Sequence, residues 1–252
     1  MNRMFDLTGK TAIVTGSTRG IGRAIAEALI AAGARVLISS ESAEDTARAA
    51  AQLNMPGQAA DVRDAQALQA LVDAAVSTFG GLDILVCNAG ITGRAGTFAE
   101  LDMDDFDQVM AINLRSQVVL ANFALPHIAR RGDGAVILVS SIAGLRGNLR
   151  INAYALAKAG VAQLARNLAV EWGPRQVRVN AISPGFIATE FSAPLRADEA
   201  FMQRRMAMTP LRRPGQPEDV GGAAVFLASP AGSFVTGHNL VVDGGTVITD
   251  GN

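Results

Sequence analysis

The chain has 252 residues, 49% of them hydrophobic, which suits one large α/β domain with a sizeable core. Its formal net charge of -1 gives no electrostatic basis for capturing nucleic acid or an anionic membrane surface, so neither is expected as a partner. A single cysteine, Cys87, excludes an internal disulfide and fits a reducing, cytoplasmic setting.

The opening residues lack the long apolar core and small-residue cleavage site of a secretory signal. "TAIVTG" (11–16) predicts a first strand, and Ile21, Ile25, Ala28 and Leu29 then recur at helical spacing. "ARVLIS" (34–39) is a second strand, Ser42 through Leu53 a second helix, and "GQAADV" (57–62) a third strand. Asp64 reads as the N-cap of a helix that ends near Phe79 and the Gly80-Gly81 turn. "LDILVCN" (82–88) is a fourth strand, followed by a long helix over about 103–130. Strand "AVILVS" (135–140), a helix over about 152–172, and strand "VRVNAIS" (177–183) come next. A helix at about 217–228 and a last strand, "NLVVDG" (239–244), close the pattern. The run 221–242 has a membrane-spanning length without Asp, Glu, Lys or Arg, but Pro230, His238, Asn239 and several glycines break it; a soluble protein is expected. Such alternation predicts one mostly parallel sheet with helices on both faces. The stretch 184–216, rich in Pro, Met, Phe and Arg, reads as irregular, and a loop that long suggests a binding lid.

"TGSTRGIG" (15–22) joins the first strand to the first helix, with Gly16, Gly20 and Gly22 spaced G-x-x-x-G-x-G. Glycines there permit a tight turn and close approach of a pyrophosphate, while the helix N-terminus offers free N–H groups. Ser17, Arg19 and Ile21 share that turn. Asp61 and Val62 end the third predicted strand, and Asn88, Ala89 and Gly90 end the fourth, so both reach the carboxyl edge where ligands bind in doubly wound sheets. For Asn88, turn geometry and direct ligand contact both stay open.

"TGSTRGIG", "NAG" (88–90) and "YALAK" (154–158), in this order and spacing, resemble the short single-domain branch of the short-chain dehydrogenase/reductase family. "VILVSS" (136–141), "RVNAISPGFIAT" (178–189) and "VTGHNLVVDGG" (235–245) extend the resemblance over essentially the whole chain, 1–252. It implies a seven-stranded, doubly wound Rossmann-type fold with NAD or NADP along the strand ends.

Tyr154 is the only tyrosine, and Lys158, one of two lysines, follows at i+4 on the same helical face. A phenol near pKa ~10 is a poor base at neutral pH, and a neighbouring ammonium lowers that value. Such a tyrosine exchanges a proton with a substrate oxygen as hydride moves at the carbon. The resemblance implies that Ser141, rather than Ser140, bonds the substrate oxygen. It also implies that Asn113 holds a water linking the lysine to solvent. The competing reading of Asn113 is an asparagine satisfied within helix packing. The resemblance further implies that Pro184, Gly185, Ile187 and Thr189 cradle the nicotinamide.

Cofactor choice turns on Ser40, where NAD-preferring members usually carry an acid, and on Glu41, where NADP-preferring members often carry arginine. A carboxylate there repels a 2′-phosphate and accepts from ribose hydroxyls, whereas Arg19 favours NADP; the balance falls narrowly to NAD. No set of metal-ligating residues and no G-x-S-x-G are present. The substrate pocket is expected between Ile142, Leu145, Arg146 and Leu149, Thr92 to Arg94, and a 190–210 lid, for a hydrophobic or cyclic secondary alcohol or ketone. Arg94, Arg146 and Arg150 are candidates to meet a substrate carboxylate. Two alternatives are a 3-oxoacyl-carrier-protein reductase, docking through Arg130, Arg131 and Arg175, and a non-enzymatic dinucleotide sensor. The resemblance also implies a homotetramer; Leu164, Leu168 and Trp172 belong to its interface or to the monomer core.

Overall fold

A computed structural model describes residues 3–249. Six parallel strands form one sheet in the order β2-β1-β3-β4-β5-β6. They are β1 (Thr11–Thr15), β2 (Arg35–Ser39), β3 (Ile84–Cys87), β4 (Gly134–Val139), β5 (Val177–Pro184) and β6 (Asn239–Val242). Helices α1 (Gly20–Ala31), α2 (Ala43–Leu53), α3 (Ala65–Phe79), α4 (Met103–Met110), α5 (Ser116–Ala129) and α6 (Asn152–Trp172) alternate with them. Two short helices, α7 (Ala193–Arg196) and α8 (Glu199–Ala207), and then α9 (Pro217–Ala228) lie between β5 and β6. Every residue of β1, β3 and β4 is buried, as a parallel sheet covered on both faces requires. One core packs Ile13, Leu85 and Leu138 against α3, α5 and α6; the other packs Val14, Ile38 and Ile137 against α1 and α9. Leu168 is buried in the first core and Leu164 and Trp172 pack against it, so all three serve the monomer.

Three expectations need correction. The strand over 57–62 does not form, so the sheet has six strands rather than seven. Chain 56–60 runs beside β2 instead: Ile38 N donates to Pro56 O, Gln58 N to Ile38 O and Ala60 N to Ser40 O, each at 2.9 Å. Pro56 lacks a donor, and Gly57, Ala59 and Ala60 are weak strand formers, so this edge segment keeps a single bridge at Gly57. The stretch 184–216 is not irregular throughout, since Asp198 caps α8 by accepting from Phe201 N at 2.9 Å. The long 103–130 helix is broken by a π-helical turn, Ala111–Arg115, which contains Asn113.

β1 lies between β2 and β3, and the chain changes direction across the sheet there. This leaves a crevice at the carboxyl ends of the strands, beside the Gly16–Gly22 turn. At the opposite edge, buried Asp83 closes the structure. One of its carboxylate oxygens accepts from Thr11 N at 2.9 Å and Thr11 Oγ1 at 3.0 Å, the other from Arg131 Nε at 2.9 Å. No helix among the described residues is long and apolar enough to cross a membrane.

Candidate active site

The glycine turn is built by sterics. Gly16 and Gly20 have φ of +63° and +56°, a region disfavoured for residues with a Cβ. A Cβ on Gly22 would stand 2.1 Å from Gly16 O and 2.4 Å from Asn88 Nδ2. Arg19, at the N-cap of α1, places no side-chain acceptor on the first-turn amides and is itself exposed. An anion therefore meets free donors and the positive end of a helix dipole. Ile21 is half-buried against the α1–α9 core.

Around this turn, several residues expected to contact a ligand serve the scaffold. Asn88 Nδ2 donates to Thr15 O at 3.0 Å and Gly16 O at 3.1 Å, which is the turn-geometry reading. Thr15 Oγ1 accepts from Asn88 N at 3.0 Å and Ala89 N at 3.2 Å. Ser17, fully buried, exchanges bonds with Ser39, its hydroxyl accepting from Ser39 N at 2.9 Å. Ser40 is buried as well, its Oγ 2.9 Å from Thr46 Oγ1 and donating to Ser42 O at 3.2 Å. Asp61 is held in a fork by Arg63, with Nε and Nη2 reaching Asp61 Oδ2 at 3.0 and 2.6 Å. That bonding keeps the Asp61 carboxyl below the usual carboxylate range. Val62 packs against the first core, and Glu41 stands exposed with its charge acting on Arg63.

The Tyr154 side converges from three strands. Ser140 and Ser141 follow β4 and do diverge: buried Ser140 Oγ donates to Lys158 O at 2.6 Å, whereas Ser141 stands by the Tyr154 hydroxyl and favours its ionised form. Ser141 Oγ also accepts from Ala143 N at 3.1 Å, which fixes its rotamer. Lys158 is buried, donates to Val139 O at 2.8 Å, and places Nζ 5.6 Å from the centre of the Tyr154 ring. From β3, Gly90 comes so close that a Cβ would lie 2.7 Å from Asn113 Oδ1 and 3.6 Å from Lys158 Nζ. Asn113 spends its side chain on Ile91, accepting from its N–H at 2.8 Å and donating to its carbonyl at 2.7 Å, the packing reading of this residue. Its own carbonyl, in the π-turn, accepts from Gln117 Nε2 at 3.0 Å.

Burial, more than any other cause, sets the proton affinities. It pushes Lys158 down to about 8. It pushes Tyr154 up, with the Ser141 hydrogen bond opposing, so the lowered phenol expected from a nearby ammonium is not the state of the protein alone. Cys87, also buried, is pushed up to about 12, an inert thiol.

β5 ends at Pro184, and a Cβ on the following Gly185 would lie 2.7 Å from Asp243 Cα. Beyond it, Ala188 N donates to Gly215 O at 2.8 Å, and Ile187 O accepts from Ser192 Oγ at 2.7 Å. Thr189 lies over the glycine turn: a Cβ on Gly20 would meet Thr189 Cγ2 at 3.5 Å. Leu145, Leu149, Phe191 and Leu195 remain exposed around this edge. Arg94 is tied to Asp102 at 2.7 Å.

The chain matches, over residues 16–247, the family described as Enoyl-(Acyl carrier protein) reductase. It is 42% identical to the cis-4-hydroxycyclohexanecarboxylate dehydrogenase of Sinomonas cyclohexanicum, covering 94% of this chain and 96% of that one. A gluconate 5-dehydrogenase from Burkholderia cenocepacia, solved with NADP and tartrate, superposes with a TM-score of 0.94 at 33% identity over 98% of both chains. A 7α-hydroxysteroid dehydrogenase, solved with NADH and 7-oxo glycochenodeoxycholic acid, superposes with a TM-score of 0.91 at 36% identity over 97% of both. The chain belongs to the short-chain dehydrogenase/reductase family. It is an oxidoreductase of that family, acting on CH–OH donors with a nicotinamide cofactor.

The residues of this short-chain dehydrogenase/reductase fit such a cofactor, because a Cβ on Gly16 or Gly22 would crowd the turn and its first-turn amides lack a side-chain cap. Sequence reasoning missed three residues. Thr15 anchors Asn88; its only signal was its place before Gly16. Gly144 lets the turn after Ser141 rest on α6, since a Cβ would lie 2.6 Å from Ala159 N. Arg205, on α8, has a buried Nε and carries no signal in the sequence. Among the described residues no cluster of His, Cys, Asp and Glu is placed to hold a metal ion.

Proposed function

We propose that this enzyme interconverts a hydrophobic or cyclic secondary alcohol and its ketone, with Tyr154 as general acid/base. The observation that carries the reading is the Ser141–Tyr154–Lys158 constellation, gathered beyond the end of β4 with Lys158 Nζ 5.6 Å from the Tyr154 ring centre and close to Gly90. A bound nicotinamide dinucleotide supplies the hydride acceptor or donor. Gly16, Gly20, Gly22 and the α1 amides would hold its pyrophosphate, and Ile187 and Thr189 would flank its nicotinamide. In ketone reduction the Tyr154 hydroxyl gives its proton to the substrate oxygen, which Ser141 orients by a hydrogen bond. The phenolate left behind is stabilised by the Lys158 ammonium, held in place by Val139 O. In alcohol oxidation the proton returns to Tyr154. With its side chain committed to Ile91, Asn113 has its π-turn carbonyl left to hold the water that links Lys158 to solvent in a proton relay.

The exposed carboxylate of Glu41, two residues past β2, would repel a 2′-phosphate and supports NAD over NADP; Arg19 is the counterweight. Residues 190–210 act as a lid over a single domain, and exposed Leu149, Phe191 and Leu195 supply its apolar lining. A homotetramer in a cytoplasmic setting completes the reading. The relatives named for a cyclohexane acid and a steroid support a cyclic substrate. Carrier-protein docking has less support, because Arg131 is tied to Asp83 and Arg175 stacks on Trp172 at 5.0 Å.

A spectrophotometric screen at ~340 nm, pairing NADH and NADPH with cyclic ketones and a 3-oxoacyl-carrier substrate, tests this reading. Turnover of cyclic ketones, faster with NADH, is expected. Turnover of the carrier substrate alone would replace it with the carrier-protein reductase, and no turnover at all would favour the sensor.

A further inference from the structure

We infer that Arg205 on α8 and Arg146 in the loop after Ser141 form a recognition site for the carboxylate of an organic-acid substrate. This inference deepens the dehydrogenase reading and rests on it. Arg205 packs on Phe186, just beyond β5, with its guanidinium carbon 5.8 Å from the ring centre. Phe186 in turn meets Phe201 of α8 at 5.5 Å between ring centres, so the arginine is fixed between the lid and the end of β5. Arg146 leaves the end of β4, five residues after Ser141, and its charge acts on Arg205.

Arg205 Nε is buried and has no hydrogen-bond partner among the described residues. A buried guanidinium N–H without an acceptor is unfavourable, and a second positive charge nearby makes it more so. Burial and Arg146 both weaken the hold of Arg205 on its proton, while Asp243 strengthens it. Asp243 does not close the gap by direct pairing. Its Oδ1 accepts from Gly245 N and its Oδ2 from Val247 N, both at 2.8 Å, which commits the carboxylate to its own turn. What the pair lacks is an anion from outside the chain. A carboxylate suits it, because a planar fork meets two carboxylate oxygens at once. Apolar Phe186 beside it, itself against Phe201, suits a hydrocarbon body, so the geometry fits a compact apolar or cyclic acid.

The test compares cyclohexanecarboxylate with its neutral isostere cyclohexanecarboxamide, titrated calorimetrically into the full chain with saturating NAD. The carboxylate is expected to bind about tenfold tighter or better, and Arg205→Met to collapse that ratio to within about twofold. Arg146→Met is expected to reduce it several-fold, and Arg205→Lys to keep part of it. Melting curves report folding, and Arg146→Met carries the test if Arg205→Met is unfolded. A ratio near one in the wild type, or one that survives both methionine variants, overturns the carboxylate site. Absence of ketone reduction with either cofactor overturns the dehydrogenase reading instead and leaves the binding ratio to stand by itself.

Discussion

At the amino edge of the sheet, Asp83 has both carboxylate oxygens taken by Thr11 and Arg131. At the carboxyl edge, the first turn of α1 has no side-chain cap, Glu41 is exposed, and Arg205 Nε lies buried without an acceptor. The first edge is saturated by the chain itself and contributes stability. The second keeps donors and charges in reserve, and those groups are where a cofactor and substrate add binding energy. Unpaired groups, more than polar ones in general, mark the working edge of this molecule.

The largest effect is expected from filling the glycine cradle. Gly22→Val places carbon within contact-breaking range of Gly16 O, so cofactor affinity should fall by roughly 100-fold or more in a fluorescence titration. An unchanged affinity would show that the cradle is not the dinucleotide site. At the saturated edge, Asp83→Ala should lower the unfolding free energy by about 2 kcal/mol in a urea titration, because it strands the buried Thr11 N–H and hydroxyl. The same variant should leave kcat/KM within about twofold at a temperature where it is folded. A large kinetic defect would erase the contrast between the two edges.

Smaller effects sharpen the contrast. Glu41→Ser removes the exposed charge just past β2, and the ratio of kcat/KM for NADH over NADPH should drop about tenfold. An unchanged ratio would assign the choice to Arg19 or Arg63. Lys158→Met should stabilise the protein by about 1 kcal/mol at pH 7, since burial of the ammonium opposes folding more than the lost bond to Val139 O supports it. The sign follows from a folded pKa of about 8 against 10.5 for a free lysine. The penalty is complete below pH ~8 and fades towards pH ~10.5, so the gain in the variant should shrink over that range.

Much of this was legible in the sequence. Hydrophobic periodicity placed β1, β2 and the helices through α3 within a residue or two, and Asp64 and Gly80 do bound α3. The strand expected over "GQAADV" does not form because Pro56 lacks a donor and glycine and alanine have weak strand propensity at a sheet edge. Motif residues divided in a way that spacing does not encode. Asn88, Ser17 and Ser40 are polar residues beside a glycine turn, yet their side chains close on Thr15, Ser39 and Thr46. Tyr154 and Lys158 stood out by rarity, but the depression of Lys158 depends on burial, which only packing reveals. Arg205 is one of many arginines; a buried Nε distinguishes it, and no pattern along the chain could.

The most direct test of the account is the turnover of Tyr154→Phe in cyclic-ketone reduction, measured with saturating NADH beside a titration of cofactor binding. The phenyl ring keeps the packing against Lys158 and removes only the hydroxyl. The account predicts that cofactor still binds while kcat falls about 1000-fold, the range of general acid–base catalysis. A kcat within about tenfold of the wild type would contradict it, since the proton would then come from a group other than Tyr154.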